Sequence, residues 1–132
     1  MNGSGKSERN GIVIFDTNVL IYLSNSKLPL IKLFNTQAKI SVISKIEALG
    51  YANKNFAEQS FLIELCNELP IVTLSDRIAE EAINIRRDHR IKLPDAVIYA
   101  TAVVEGLPLL TNNIFDFKSL GNKVELINPF DL

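Results

Sequence analysis

Five short, largely apolar runs limit most what this chain can fold into: "IVIF" (12–15), "KISVIS" (39–44), "IVTL" (71–74), "PLLT" (108–111) and "KVELI" (123–127). Such runs, rich in Ile, Val and Leu, read as strands buried on both faces, as in a parallel sheet covered by helices. The intervening segments supply the helices. "TNVLIYLSN" reads as one, "LPLIKLFN" (28–35) as a short second one with Pro29 near its start, and "KIEALGYANK" (45–54) as a third, with Gly50 tolerated or marking a bend. Residues 56–69 place Phe56, Phe61, Leu62, Leu65 and Leu69 at helical spacing until Pro70 stops the run. In 75–89, Ile78, Ala82 and Ile85 form an apolar stripe that Ser75 or Asp76 can cap. Residues 93–106 are apolar nearly all round, hence a buried helix. Strands alternating with helices predict an α/β fold with helices on both sheet faces.

At 132 residues the chain is expected to form one domain over 11–132, preceded by a flexible polar leader, 1–10. The leader holds "GSGKS", an echo of a phosphate-binding loop, but no strand and no earlier glycine stand before it, as that motif requires. It also lacks the apolar core of a secretory signal, and no run reaches the roughly 18 apolar residues of a membrane span. Cys66 is alone and predicts no internal disulfide. These features predict a cytoplasmic protein with no membrane partner. Fourteen basic and 15 acidic side chains leave a net charge of -1, so the chain as a whole has no pull toward a polyanion.

Against this background Asp16 stands out, a carboxylate inside "GIVIFDTNVLIYL". A buried charge is costly unless it is paired, hydrogen-bonded or bound to a cation. Asp16 ends the first strand, and α/β folds bind ligands beyond strand carboxyl ends. Three other acids fall in comparable places: Glu47 after the second strand, Asp95 at the start of the buried helix, and Asp116 in "TNNIFDF" after the fourth strand. Each has a plainer explanation. Asp16 and Asp95 suit helix starts, Asp116 suits a loop, and "SKIE" spells a capping box in which Ser44 caps and Glu47 reaches back. Converging carboxylates would repel one another, and a divalent cation resolves that conflict. Oxygen donors of this type suit Mg²⁺ or Mn²⁺, whereas a single His89 and a single Cys66 cannot build a zinc centre.

The segments "IVIFDTNVLIYL", "ISKIEALGY", "LPDAVIYATAVVEGLPLLTNNIFDF" and "VELINP" together resemble the PIN domain, most nearly the VapC-type toxins of toxin–antitoxin pairs. The likeness spans residues 12–130. It implies a three-layer fold with a five-stranded parallel sheet, and Mg²⁺- or Mn²⁺-dependent ribonuclease activity from an acidic pocket. By position it implies Asp16, Glu47 and Asp95 as the catalytic, metal-holding acids. Where the family's fourth acid usually stands this chain has Asn113, a neutral oxygen, with Asp116 further along as a possible substitute metal ligand. Thr111 and Asn18 match positions that support the acids by hydrogen bonds, with Thr17 and Asn112 as weaker candidates. A cognate antitoxin and a homodimer are also implied.

Hydrolysis of an RNA phosphodiester would need positive charge beside the acids. "RRDHRIK" offers Arg86, Arg87, Arg90 and Lys92 as RNA contacts, although the same cluster complements a helix C-terminus. Tyr51, Phe56 and Phe61 suggest either core packing or an interface. Competing expectations are a weakened PIN-like module that binds RNA or protein without cutting, favoured by Asn113, and a phosphoacceptor receiver, disfavoured because no second acid adjoins Asp16. A glycosidase-like acid pair lacks a sugar-stacking Trp, since the chain has none.

Overall fold

The computed structural model describes residues 11–51 and 55–132. The expected leader and residues 52–54 of the expected third helix lie outside them. The elements run β1 (Ile12–Phe15), α1 (Thr17–Ser24), a 3₁₀ turn (Leu30–Leu33), β2 (Gln37–Ser41), α2 (Val42–Gly50), α3 (Phe56–Glu68), β3 (Ile71–Val72), α4 (Asp76–Asp88), α5 (Leu93–Glu105), β4 (Leu109–Leu110), α6 (Ile114–Lys118), β5 (Leu126–Ile127) and a closing 3₁₀ turn (Pro129–Asp131). The sheet has five strands in the order β3-β2-β1-β4-β5. Every pairing is parallel; Val13 lies opposite Ala38, and Phe15 opposite Leu110.

Successive strand residues point to opposite faces, so a sheet covered on both sides needs apolar residues at every position. Val13, Phe15, Ile40 and Leu110 join α1 and α3 in one core, with Val19, Leu20, Leu62 and Cys66. Ile14 and Leu109 turn the other way, into a core with α4 and α5 that includes Ile78, Ala82, Ile85, Ile98, Tyr99 and Phe117. The predicted three-layer α/β architecture is therefore the one observed. Helix α5 is buried from Ala96 to Ala102 and ends at Gly106, whose φ of 69° favours glycine and places the Leu107 N–H on the Ala102 carbonyl at 3.1 Å.

Strand boundaries differ from the sequence expectation. The second strand was expected over 39–44, but it stops at Ser41, whose hydroxyl accepts the Ile43 N–H at 3.1 Å and caps α2. Val42 and Ile43 thus enter a helix despite their β-branched side chains, because the cap and packing outweigh a propensity of a few tenths of a kcal/mol. The capping box expected at Ser44 and Glu47 does not form. Ser44 lies inside α2, and Glu47 sits in its second turn rather than its first. Strands β3, β4 and β5 are each two residues, shorter than the expected runs. No helix among the described residues is long and apolar enough to cross a membrane.

Candidate active site

The strand order turns back on itself between β1 and β4, and the residues just past these two strands face each other there. Asp16 follows β1 and Thr111 follows β4. The Asp16 N–H donates to the Leu110 carbonyl at 2.9 Å, continuing the ladder one residue beyond the strand. Its side chain is 5% exposed. Both carboxylate oxygens are held: Oδ1 accepts the Thr17 N–H at 2.8 Å, and Oδ2 accepts the Thr111 hydroxyl at 2.7 Å. Thr111 in turn accepts the Asn113 N–H at 2.9 Å.

A cleft of about 490 Å³ opens here, lined by Asp16, Thr17, Asn18, Ile21, Tyr22, Glu47, Tyr51, Asp95 and Asn113. Three elements deliver its acids: Asp16 from the β1–α1 junction, Glu47 from α2, and Asp95 from the first turn of α5, where the helix dipole favours a negative charge. Burial pushes the Asp16 carboxyl up to about 6, and the nearby charges of Asp95 and Glu47 add to this, against the lowering effect of its bonds to Thr111 and Thr17. Asp95 is also raised, by burial first and then by Glu47 and Asp116, with Lys92 opposing. The two ion pairs among the described residues, Lys39–Glu105 and Lys123–Glu81, involve none of these acids. A larger cavity, about 920 Å³, lies at the amino ends of β1, β4 and β5, but its charged lining side chains are Lys32 and Glu125. It has no acidic cluster, so chemistry belongs to the smaller cleft.

A family model described as "PIN domain" matches residues 13–122. The chain belongs to the PIN domain family. Among solved structures, it resembles a chain of the toxin–antitoxin complex from Klebsiella pneumoniae, with a TM-score of 0.74, 31% identity, and coverage of 89% of this chain and 97% of that one. It also resembles VapBC2 from Rickettsia felis, solved bound to a DNA fragment from its promoter, with a TM-score of 0.74, 26% identity, and 89% and 98% coverage. FitAcB from Neisseria gonorrhoeae shares the fold with a TM-score of 0.70 at 23% identity, covering 92% and 100%. No curated protein sequence matches.

Within this PIN domain, the residues singled out from sequence divide into two groups. Asp16, Glu47, Asp95, Asn18 and Asn113 share the cleft, and Thr111 braces it from beneath. Asn18 Oδ1 accepts the Asn112 N–H at 3.5 Å, a long bond that ties α1 to the segment after β4. Asp116 is exposed in the first turn of α6 and does not line the cleft, though its charge reaches Asp95. Arg86 and Arg87, in the last turn of α4, line a separate apolar groove with Leu74, Ile83 and Leu93. Lys92 stands just before α5, without a side-chain cap bond, and is the basic residue whose charge reaches Asp95.

Thr17, a weaker candidate in the sequence, bonds both Asp16 and Glu47, and Ser44, which the sequence offers as a cap, joins it. Ser44 Oγ lies 2.9 Å from Thr17 Oγ1, which lies 2.7 Å from Glu47 Oε1. The spacing of Ser44 and Glu47, three apart on one helix, is the signal in the sequence, and it spells a capping box equally well.

The donor set fits a hard divalent cation. It consists of carboxylates with the neutral amide of Asn113, and it includes Asp16, which burial and the nearby Asp95 and Glu47 push up to about 6. Among the described residues, no group of three or more His, Cys, Asp or Glu side chains is placed so that it could hold a metal ion. Mg²⁺ does not need such a group, since it is usually bound by one or two carboxylates and completes its shell with water and substrate phosphate.

Proposed function

We propose that this PIN domain is a Mg²⁺- or Mn²⁺-dependent endoribonuclease and the toxin of a toxin–antitoxin pair. One observation carries the reading: three carboxylates from separate elements share one cleft at the sheet's switch point, with Asp16 buried and its charge unpaired by any described lysine or arginine. Asp16, Asp95 and Glu47 would hold the ion, with Asn113 as a neutral neighbour. A bound ion supplies Lewis acidity for activating water and positive charge at the scissile phosphate. The chain's own contribution is orientation. Thr17 and Thr111 fix both oxygens of Asp16, and the α5 N-terminus favours charge on Asp95. Lys92, whose charge reaches Asp95, is the RNA contact best supported, with Arg90 close to it in sequence; Arg86 and Arg87 line the separate apolar groove.

Likeness to chains from toxin–antitoxin complexes supports an antitoxin partner. Tyr51 lines the cleft and is half exposed, and Ile46 on α2 and Phe56 on α3 are also exposed, so they offer apolar surface for one. Self-association is supported by α4. On a 3.6-residue helix, Asp76, Ala79, Glu80, Arg86 and Arg87 fall within about 60° of Ile83, which is 44% exposed. Antiparallel pairing of two copies about Ile83 sets Glu80 beside Arg87 of the second copy on the same flank of the seam, with exposed Leu74 and Leu93 at its ends.

The deciding experiment incubates structured RNAs with the purified protein in Mg²⁺, in EDTA, and as Asp16→Ala. Cutting that needs both metal and Asp16 is the expected result. RNA binding without cutting in every condition would instead favour a PIN-like binding module, the reading that Asn113 supports.

A further inference from the structure

Thr17 contacts two acids that arrive from different elements. Its backbone N–H donates to Asp16 Oδ1 at 2.8 Å, while its hydroxyl lies 2.7 Å from Glu47 Oε1 and 2.9 Å from Ser44 Oγ. Proton counting fixes the direction of these bonds. A hydroxyl has one proton to donate, and an ionised carboxylate only accepts. The Thr17 proton therefore belongs to Glu47, and Ser44 must donate to Thr17. The donors run one way, from Ser44 to Thr17 to Glu47.

Ser44 is 0% exposed, so it is shielded from bulk water. Serines inside helices commonly bond back to their own helix; here the Ser44 hydroxyl meets another element instead. Threonine is β-branched and stiff at χ1, so a bond from behind and one in front hold its hydroxyl in a single direction. Hydrogen bonds in such a chain strengthen one another in a low-dielectric interior. Without this tie, like charges on Asp16 and Glu47 favour separation of the β1–α1 junction from α2.

We infer that Thr17, aimed by Ser44, is a positioning residue that locks the Glu47 carboxylate relative to Asp16, so that the two act as one divalent-cation-binding unit. This rests on the metal-dependent reading of the cleft. Thr17 itself touches neither ion nor substrate in this role; it acts through the carboxylates.

The test is calorimetric titration of Mn²⁺ into the full chain as wild type, Thr17→Val, Thr17→Ser and Ser44→Ala, with thermal unfolding of each in EDTA. Thr17→Val keeps the shape and loses the donor, and is expected to weaken Mn²⁺ binding about 10- to 100-fold, as losses of residues that orient metal ligands typically do. Thr17→Ser keeps the donor and restores binding to near the wild-type value. Ser44→Ala weakens it by less than Thr17→Val. In RNA cleavage, saturating Mn²⁺ recovers the Thr17→Val rate, because the defect lies in assembling the site. Unchanged Mn²⁺ affinity in Thr17→Val, or equal weakening in Thr17→Ser, overturns the inference while leaving the metal reading intact. Should the wild type bind no Mn²⁺, both fall together. If Thr17→Val does not fold, Ser44→Ala decides: weakened binding supports the tie, and unchanged binding overturns it.

Discussion

The Thr111 hydroxyl donates to Asp16 Oδ2 at 2.7 Å, joining residues 95 apart in sequence across the seam between β1 and β4. That seam is where the strand order turns, so the bond links the two chain segments that define the cleft floor. It also explains why a carboxylate that is 5% exposed retains acidic character, since without hydrogen bonds burial would raise it further.

The raised Asp16 pKa predicts how stability varies with pH in EDTA. The folded carboxyl, at about 6, binds its proton more tightly than the ordinary value of 3.8, so the folded state carries more protons between these values. Stability is therefore highest below about 4 as far as this group is concerned, and falls as pH rises through about 6. A shift near two units corresponds to at most about 3 kcal/mol. The raised Asp95 acts in the same direction. Urea unfolding from pH 4 to 8 should reveal this loss, and Asp16→Asn should flatten much of it. A stability that climbs over the same range would contradict the burial effect.

Metal should reverse that penalty. In Mg²⁺ or Mn²⁺ at about 100 times the dissociation constant, binding to the folded state alone adds about 2.7 kcal/mol. The wild-type Tm at pH 7.5 should rise by several degrees and return to baseline on chelation. Asp16→Asn should start from a higher metal-free Tm and gain little. Equal gains in both proteins would place the ion elsewhere.

Removing the Thr111 hydroxyl as Thr111→Val should deprive Asp16 of a donor and the Asn113 N–H of its acceptor. The bond lowers the Asp16 pKa, so its loss raises the carboxyl above about 6 and moves the pH-dependent fall in stability to higher pH. Metal affinity should drop about 10- to 100-fold. Carboxyl-observed NMR titration of the metal-free protein provides the check.

Self-association through α4 should fail in Ile83→Arg, seen as a shift to monomer mass in light scattering. Glu80→Arg alone should weaken the dimer, and adding Arg87→Glu should restore it by exchanging the two signs. A dimer indifferent to all of these uses another face.

At α2, Ser41→Ala should cost about 1 kcal/mol through loss of the cap. Chemical denaturation provides the measurement. The same change leaves Mn²⁺ affinity at the wild-type value, because Ser41 lies outside the cleft.

Much of this protein was legible in the order of its residues. Continuous apolar runs such as "IVIF" required a sheet covered on both sides, because Val13 and Phe15 face one core while Ile14 faces the other. Asp16 was conspicuous because a charge at the end of such a run needs compensation. What sequence could not assign was the meaning of "SVISKIE". Local pattern made Ser44 a cap for Glu47; the folded chain uses Ser41 instead and turns Ser44 toward Thr17. Both serines satisfy the same local chemistry, and only contact with α1, nearly thirty residues earlier, separates them. Likewise "RRDHRIK" reads as one basic cluster, yet α4 directs Arg86 and Arg87 to a groove while Lys92 stands at the start of α5. Burial and periodicity are properties of neighbours along the chain, so sequence determines the layers and the acids. Which hydroxyl meets which carboxylate depends on how strands and helices pack, and that is decided only by tertiary structure.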